Sequence, residues 1–195
     1  MFTGIITHLG TVLRPTSTGL EIGTPREFLV RVTKGESIAV NGTCLTVVRR
    51  RPTAFTVAVI PETFRRTQLG SLRAGSRVNL ERPMTAQSFL SGHLVQGHVD
   101  GTARLRRITR QGNSRVLAFV LPAPLARYIV EKGSIAVNGV SLTVMTATRS
   151  GFTVGIIPHT WEHTTLQALQ VGDRVNIETD LVAKYVAKLF RKTAS

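Results

Sequence analysis

Two tandem all-β barrels followed by one C-terminal α-helix are the fold this sequence predicts, and three observations carry it. The first is an internal repeat. IAVNGTCLTV from Ile38 to Val47 returns as IAVNGVSLTV from Ile135 to Val144, an offset of 97 residues. The offset holds without a gap through Phe55/Phe152, Pro61/Pro158, Leu69/Leu166, Gly75/Gly172 and Asn79/Asn176 to Glu81/Glu178. Solenoids and propellers repeat every ~20–50 residues, so this longer period marks duplicated domains. The second observation is an Asn-Gly pair between β-rich runs in each copy. The third is the even spacing of short strands broken by Gly and Pro, which suits small barrels whose closure leaves no open edge.

The elements follow in order. Ser37–Val40 and Cys44–Val48 flank Asn41-Gly42, and Ile135–Val137 and Ser141–Met145 flank Asn138-Gly139. Each pair reads as a hairpin, because both central positions of a type I′ turn need positive φ. Phe55–Ile60 and Phe152–Ile157 are further strands, each stopped by Pro. Short helices are expected within Glu62–Leu69 and His159–Leu169, and Arg77–Glu81 and Arg174–Glu178 close the copies after a Gly turn. The copies also begin alike: Phe2–Ile6 corresponds to Val95–Val99, and Gly10-Thr11 to Gly101-Thr102. Arg82–Ser91 reads as the linker, and one extra residue is expected near Glu36 relative to the second copy. The domains expected are therefore residues 1–87, 88–179 and a terminal helix at 180–195. In that helix Leu181, Val182, Tyr185, Val186 and Leu189 form an apolar stripe opposite Lys184 and Lys188. The stripe must be buried on its own barrel or on the helices of other subunits.

Composition narrows the function classes. The chain has 195 residues, 42% of them apolar, enough for two domains of about 90 residues each. It has no transmembrane-length apolar run, its N-terminus lacks signal-peptide features, and the single Cys44 allows no intrachain disulfide. Cytoplasm is the expected location. A net charge of +14 raises nucleic-acid binding. The basic residues are scattered, however, over Arg49–Arg51, Arg65-Arg66, Arg104–Arg110 and the C-terminal tail, without a zinc-finger or RNA-recognition pattern. Nucleic acid is not the expected partner, nor is a membrane. Duplicated pockets suit a reaction between two copies of one small molecule.

The motifs MFTGII, NGTCLTV, GHLVQGHVDGTA, KGSIAVNGVSLTV, IPHTWEHTTL and VNIETD occur in an order and spacing that resemble the riboflavin synthase family, α-chain type, over the whole chain. The resemblance implies two six-stranded Greek-key barrels and a C-terminal helix, assembled as a homotrimer with each active site between subunits. It implies dismutation of two 6,7-dimethyl-8-ribityllumazine molecules to riboflavin and 5-amino-6-(D-ribitylamino)uracil, with no metal or organic cofactor. The alternatives are a non-catalytic lumazine or flavin carrier of the same duplicated fold, a nucleic-acid-binding barrel and a flavin reductase barrel.

If one copy donates and the other accepts, chemistry should lie where the modules differ. Ile5 becomes His98, and Cys44 becomes Ser141, while Thr46 and Thr143 stay the same. The reaction that the resemblance implies starts with loss of a proton from the C7 methyl group. His98 is the leading acid–base group and His93 the second, since an imidazole titrates near neutrality. Their spacing of five places them on opposite faces of a regular strand. Ser141 and Cys44 are the nucleophile candidates, and Thr143 is taken with them. Asp180 reads as the N-cap of the final helix. The resemblance assigns Asp180 to the active site as well.

The same matching implies that substrate lies against Gly4, Ile5 and Ile6, against Cys44, Leu45 and Thr46, and against Ala58, Val59, Ile60, Pro61, Glu62 and Thr63. In the second module it implies Gly97, His98 and Val99, then Lys132, then Ser141, Leu142 and Thr143. Gly155, Ile156, Ile157, Pro158, His159 and Thr160 complete that set. His159, Trp161 and His163 depart from the family's usual Glu, Leu and Arg.

Overall fold

The computed structural model describes residues 1–191. In the first barrel the strands are β1 (His8–Thr16), β2 (Gly19–Gly23), β3 (Ser37–Val40), β4 (Thr43–Arg50), β5 (Ala54–Ala58) and β6 (Arg77–Glu81). In the second they are β7 (Gly101–Gln111), β8 (Ser114–Val120), β9 (Ser134–Val137), β10 (Val140–Thr148), β11 (Gly151–Ile156) and β12 (Arg174–Thr179). The barrels close antiparallel in the same cyclic order, β1-β2-β5-β4-β3-β6 and β7-β8-β11-β10-β9-β12. Four short helices occupy equivalent connections, α1 (Arg26–Leu29), α2 (Pro61–Arg66), α3 (Ala123–Ala126) and α4 (Pro158–His163). A longer helix, α5 (Leu181–Arg191), ends the described chain. None of the described helices is long and apolar enough to cross a membrane.

Strand alternation sorts side chains to two faces. Leu45 and Val47 of β4 join the first core, and Leu142 and Val144 of β10 join the second. Cys44 and Ser141 remain half-buried on the outer face, where Thr46 and Thr143 are exposed. The expected extra residue near Glu36 is absent: the Gly35 amide donates to Val47 O and the Lys132 amide to Val144 O, both at 2.8 Å. Gly35 and Lys132 are therefore equivalent, and the offset of 97 runs through this turn unbroken.

The Asn-Gly turns have the backbone the sequence predicts, with φ of 45° and 74° at Asn41-Gly42 and 46° and 78° at Asn138-Gly139. They also do more than turn the chain. Each turn abuts the other, so that a Cβ on Gly42 would stand 2.6 Å from the Gly139 amide nitrogen, and one on Gly139 2.7 Å from that of Gly42. The Asn79 amide donates to Asn138 O at 2.9 Å, and the Asn176 amide reciprocates to Asn41 O at 2.8 Å. Asn79 Oδ1 accepts from the Thr165 amide, and Asn176 Oδ1 from that of Gln68. Every one of these contacts has its twin 97 residues away, giving a pseudo-two-fold junction. Phe2 and Val95 pair as an antiparallel bridge across it and form a small apolar cluster with Ala39 and Ala136.

Helix α5 begins on the second barrel. Asp180 Oδ1 accepts from the Val182 amide at 2.9 Å, which is the N-cap the sequence predicts. Lys184 Nζ lies 2.7 Å from Asp100 Oδ2, which also accepts from Thr179 Oγ1. The apolar stripe is not buried on its own barrel: Val182, Tyr185 and Leu189 are 62%, 63% and 68% exposed.

Because each turn glycine has positive φ and faces backbone, Gly42→Ala and Gly139→Ala should each cost about 1–3 kcal/mol, the usual range for overpacking a tight site. Urea unfolding checks this; an unchanged midpoint in both variants would refute the tight junction.

Candidate functional site

Two equivalent surfaces stand out on the barrels' outer faces. On the first, Cys44 and Thr46 of β4 lie near Ala58 at the end of β5, with Val48 and Ile60 exposed beside them. On the second, Ser141 and Thr143 of β10 lie near Gly155 of β11, with Met145 and Ile157 exposed beside them. Each offers a small residue, two polar side chains and an apolar rim, suited to one face of a planar heterocycle. Leu45, Val59, Leu142 and Ile156 turn their side chains into the cores. Only their main chains face outward.

The segments that begin each barrel meet β4 and β10 at the junction. Gly4 O accepts from the Ser141 amide at 2.7 Å, and Gly97 O accepts from the Cys44 amide at 2.9 Å. Both glycines have positive φ, 77° and 82°, and a Cβ on either would stand 2.6 Å from the Cβ of Ser141 or Cys44. A buried carboxylate holds each segment. Glu81 accepts from the Thr3 amide, the Thr3 hydroxyl and the Gly4 amide at 2.7, 2.7 and 3.0 Å. Glu178 accepts from the Gln96 and Gly97 amides at 2.6 and 2.9 Å. Burial raises both carboxyls above their ordinary range and outweighs the hydrogen bonds that favour the charged form. These two glutamates were missed in the sequence, though they sit at matched positions of the repeat.

His93 rather than His98 reaches Ser141, with Nδ1 2.7 Å from Oγ. Burial holds the His93 imidazole below its ordinary value, and the charge of Asp180 acts in the opposite direction. Its Nε2 is buried without a partner among the described residues. A neutral ring bonded to a hydroxyl is a base–nucleophile pair. His98 follows Gly97, and its ring is exposed with no hydrogen bond among the described residues. Thus His93, Ser141 and the charge of Asp180 come together, while Cys44 sits against Gly97.

Lys132 lies in the left-handed region, φ 65°, where the first barrel has Gly35 at φ 89°. A lysine held there costs about 1–3 kcal/mol relative to the glycine of the first barrel. Pro61, Glu62 and Thr63 open α2, and Pro158, His159 and Thr160 open α4. Glu62 pairs with Arg65 and Arg66. Its equivalent, His159, instead stacks on His163 with ring centroids 4.4 Å apart. Trp161 packs against the second core, with the Arg115 guanidinium 5.4 Å from its ring centroid.

Comparison with known proteins matches the lumazine binding domain twice, at residues 3–83 and 96–180. The chain is 46% identical to the riboflavin synthase of Mycobacterium tuberculosis (strain ATCC 25618 / H37Rv) over 98% of both chains. It is 42% identical to that of Bacillus subtilis (strain 168), over 98% of this chain and 91% of the relative. Among solved structures, LumP complexed with riboflavin superposes with a TM-score of 0.84 at 28% identity, covering 92% of this chain and 99% of the other. LumP complexed with 6,7-dimethyl-8-(1'-D-ribityl) lumazine gives 0.82 at 26%, with the same coverage.

The buried glutamates make a pH prediction. Their folded pKa values lie above the ordinary 4.5, so the folded chain binds these protons more tightly than the unfolded one. Their contribution is complete below 4.5 and is lost as pH rises through the folded values. Glu81→Gln and Glu178→Gln should flatten the corresponding fall of Tm, measured by calorimetry between about pH 4 and pH 8. Slopes identical to wild type would refute the assignment.

Proposed function

Since the chain belongs to the riboflavin synthase family, we propose that it disproportionates two molecules of 6,7-dimethyl-8-ribityllumazine. A four-carbon unit passes from one molecule to the other, giving riboflavin and 5-amino-6-(D-ribitylamino)uracil, and atoms balance without a further reactant. The activity is that of a transferase. The observation that carries the site assignment is the His93–Ser141 contact, present on one of two otherwise matched platforms. It supports an acceptor site at which Ser141 Oγ adds to C7 while His93 Nδ1 takes the hydroxyl proton. On this reading His98, whose ring nitrogens are unengaged among the described residues, removes the C7 methyl proton of the donor copy. The Thr46 and Thr143 hydroxyls serve the ring heteroatoms, Lys132 and Asp180 serve the polar substituents, and Cys44 lines the donor platform.

The platforms are open surfaces of a single chain, and the stripe of α5 is uncovered. Both features support a homotrimer in which the first barrel of one subunit faces the second barrel of its neighbour and α5 packs against its copies. A location in the cytoplasm fits the lone cysteine.

Ser141→Ala, His93→Ala and His98→Ala should each lower kcat by about 10²–10⁴-fold, the range for losing an acid–base partner. Because His93 and Ser141 act as a unit, their double variant should be little worse than either single one. Steady-state turnover of dimethyl-ribityllumazine measures both. A protein that binds the compound and leaves its spectrum unconverted would be a carrier instead.

Deleting residues 181–195 should reduce assembly and activity together, read by analytical ultracentrifugation alongside turnover. A fully active truncated monomer would contradict the shared site.

A further inference from the structure

The proposed reaction leaves the arginines of the junction without a task. A cavity of about 500 Å³ lies on the pseudo-two-fold axis beside the Asn-Gly turns, lined from one barrel by Arg77 and from the other by Arg104 and Arg174. Arg77 and Arg174 are equivalent in the repeat, so both halves present a guanidinium to the same space. Arg104 and Arg174 are direct cross-strand partners in the β7–β12 ladder. Like charges placed so are unfavourable unless something of opposite sign joins them.

No carboxylate does so among the described residues, since none of the three arginines takes part in an ion pair. The carboxylate in the lining, Asp173, accepts from the Gln170 amide at 2.8 Å. Neutral oxygens fix two of the guanidinium groups instead. Arg104 Nη1 donates to Gly172 O at 2.8 Å, and Arg174 Nη2 to Thr102 Oγ1 at 2.8 Å. Each keeps further N–H donors for another partner. Arg104 and Arg174 also border an adjoining cavity of about 630 Å³, which adds Arg106 and an apolar floor of Val120, Pro122 and Val171.

We propose that this junction binds a small phosphorylated molecule, its phosphate held by Arg77, Arg104 and Arg174. Planar guanidinium forks match phosphate oxygens. The space exceeds what a bare ion needs and falls in the range of small-molecule sites, about 300–1,000 Å³. A ligand here would bridge the two barrels through their charges, away from the substrate platforms.

The test is calorimetric titration of the full chain with ribose 5-phosphate and, separately, inorganic phosphate, at ionic strength matched with sodium chloride and with riboflavin saturating. Wild type should bind ribose 5-phosphate more tightly than inorganic phosphate, and Arg104→Gln/Arg174→Gln should weaken it by at least about tenfold, the loss of 1.4 kcal/mol of contact. Riboflavin formation by the variant should stay at the wild-type rate. Equal binding by variant and wild type, or displacement by riboflavin, would overturn the proposal. So would equal affinity for both anions, which would leave a bare-ion site only.

Discussion

The contact of one Asn-Gly turn with the other is what the rest of this structure rests on. Positive φ at two successive positions in each turn lets the two backbones approach where a single Cβ on either glycine would collide. Asn79 and Asn176 then each donate to a carbonyl and accept from a backbone amide of the opposite barrel, so the junction is sealed by reciprocal bonds. This is the geometry of a two-fold dimer interface contained within one chain. It fixes the orientation of β4 relative to β10, and with it the distance between the two platforms.

Much of this was legible in the sequence because duplication writes each element twice. The hairpins at Asn41 and Asn138, the strand pairs on either side and the Asp180 cap follow from local turn and capping chemistry. Strand β7 was harder to read, since its RLRRITR stretch carries charge where alternation should show. Its outward arginines hide a strand whose inward residues, Ala103 and Leu105, are buried. The short helices α1 and α3 were not legible at all; four residues are too few for a helical period to appear.

At the site, sequence reasoning ranked the histidines by comparing the two halves of the repeat. His98 stood out because its counterpart Ile5 is apolar. The contact between His93 and Ser141 depends on how the segment before β7 folds back to meet β10, and no spacing rule reports that. Glu81 and Glu178 were invisible for a related reason. A carboxylate at a strand end reads as solvated until the segment it holds, 77 or 81 residues away, is in place over it.

The exchange of Gly35 for Lys132 shows how far the halves have drifted from one another. Both positions use the same twisted backbone, yet only one uses the residue that adopts it freely. Reverting to glycine would relax the chain, and selection for stability alone would drift that way. A long cationic arm stands at this strained position on one half only. Divergence after duplication has therefore worked through tolerated discomfort in a shared scaffold, rather than by rebuilding either half.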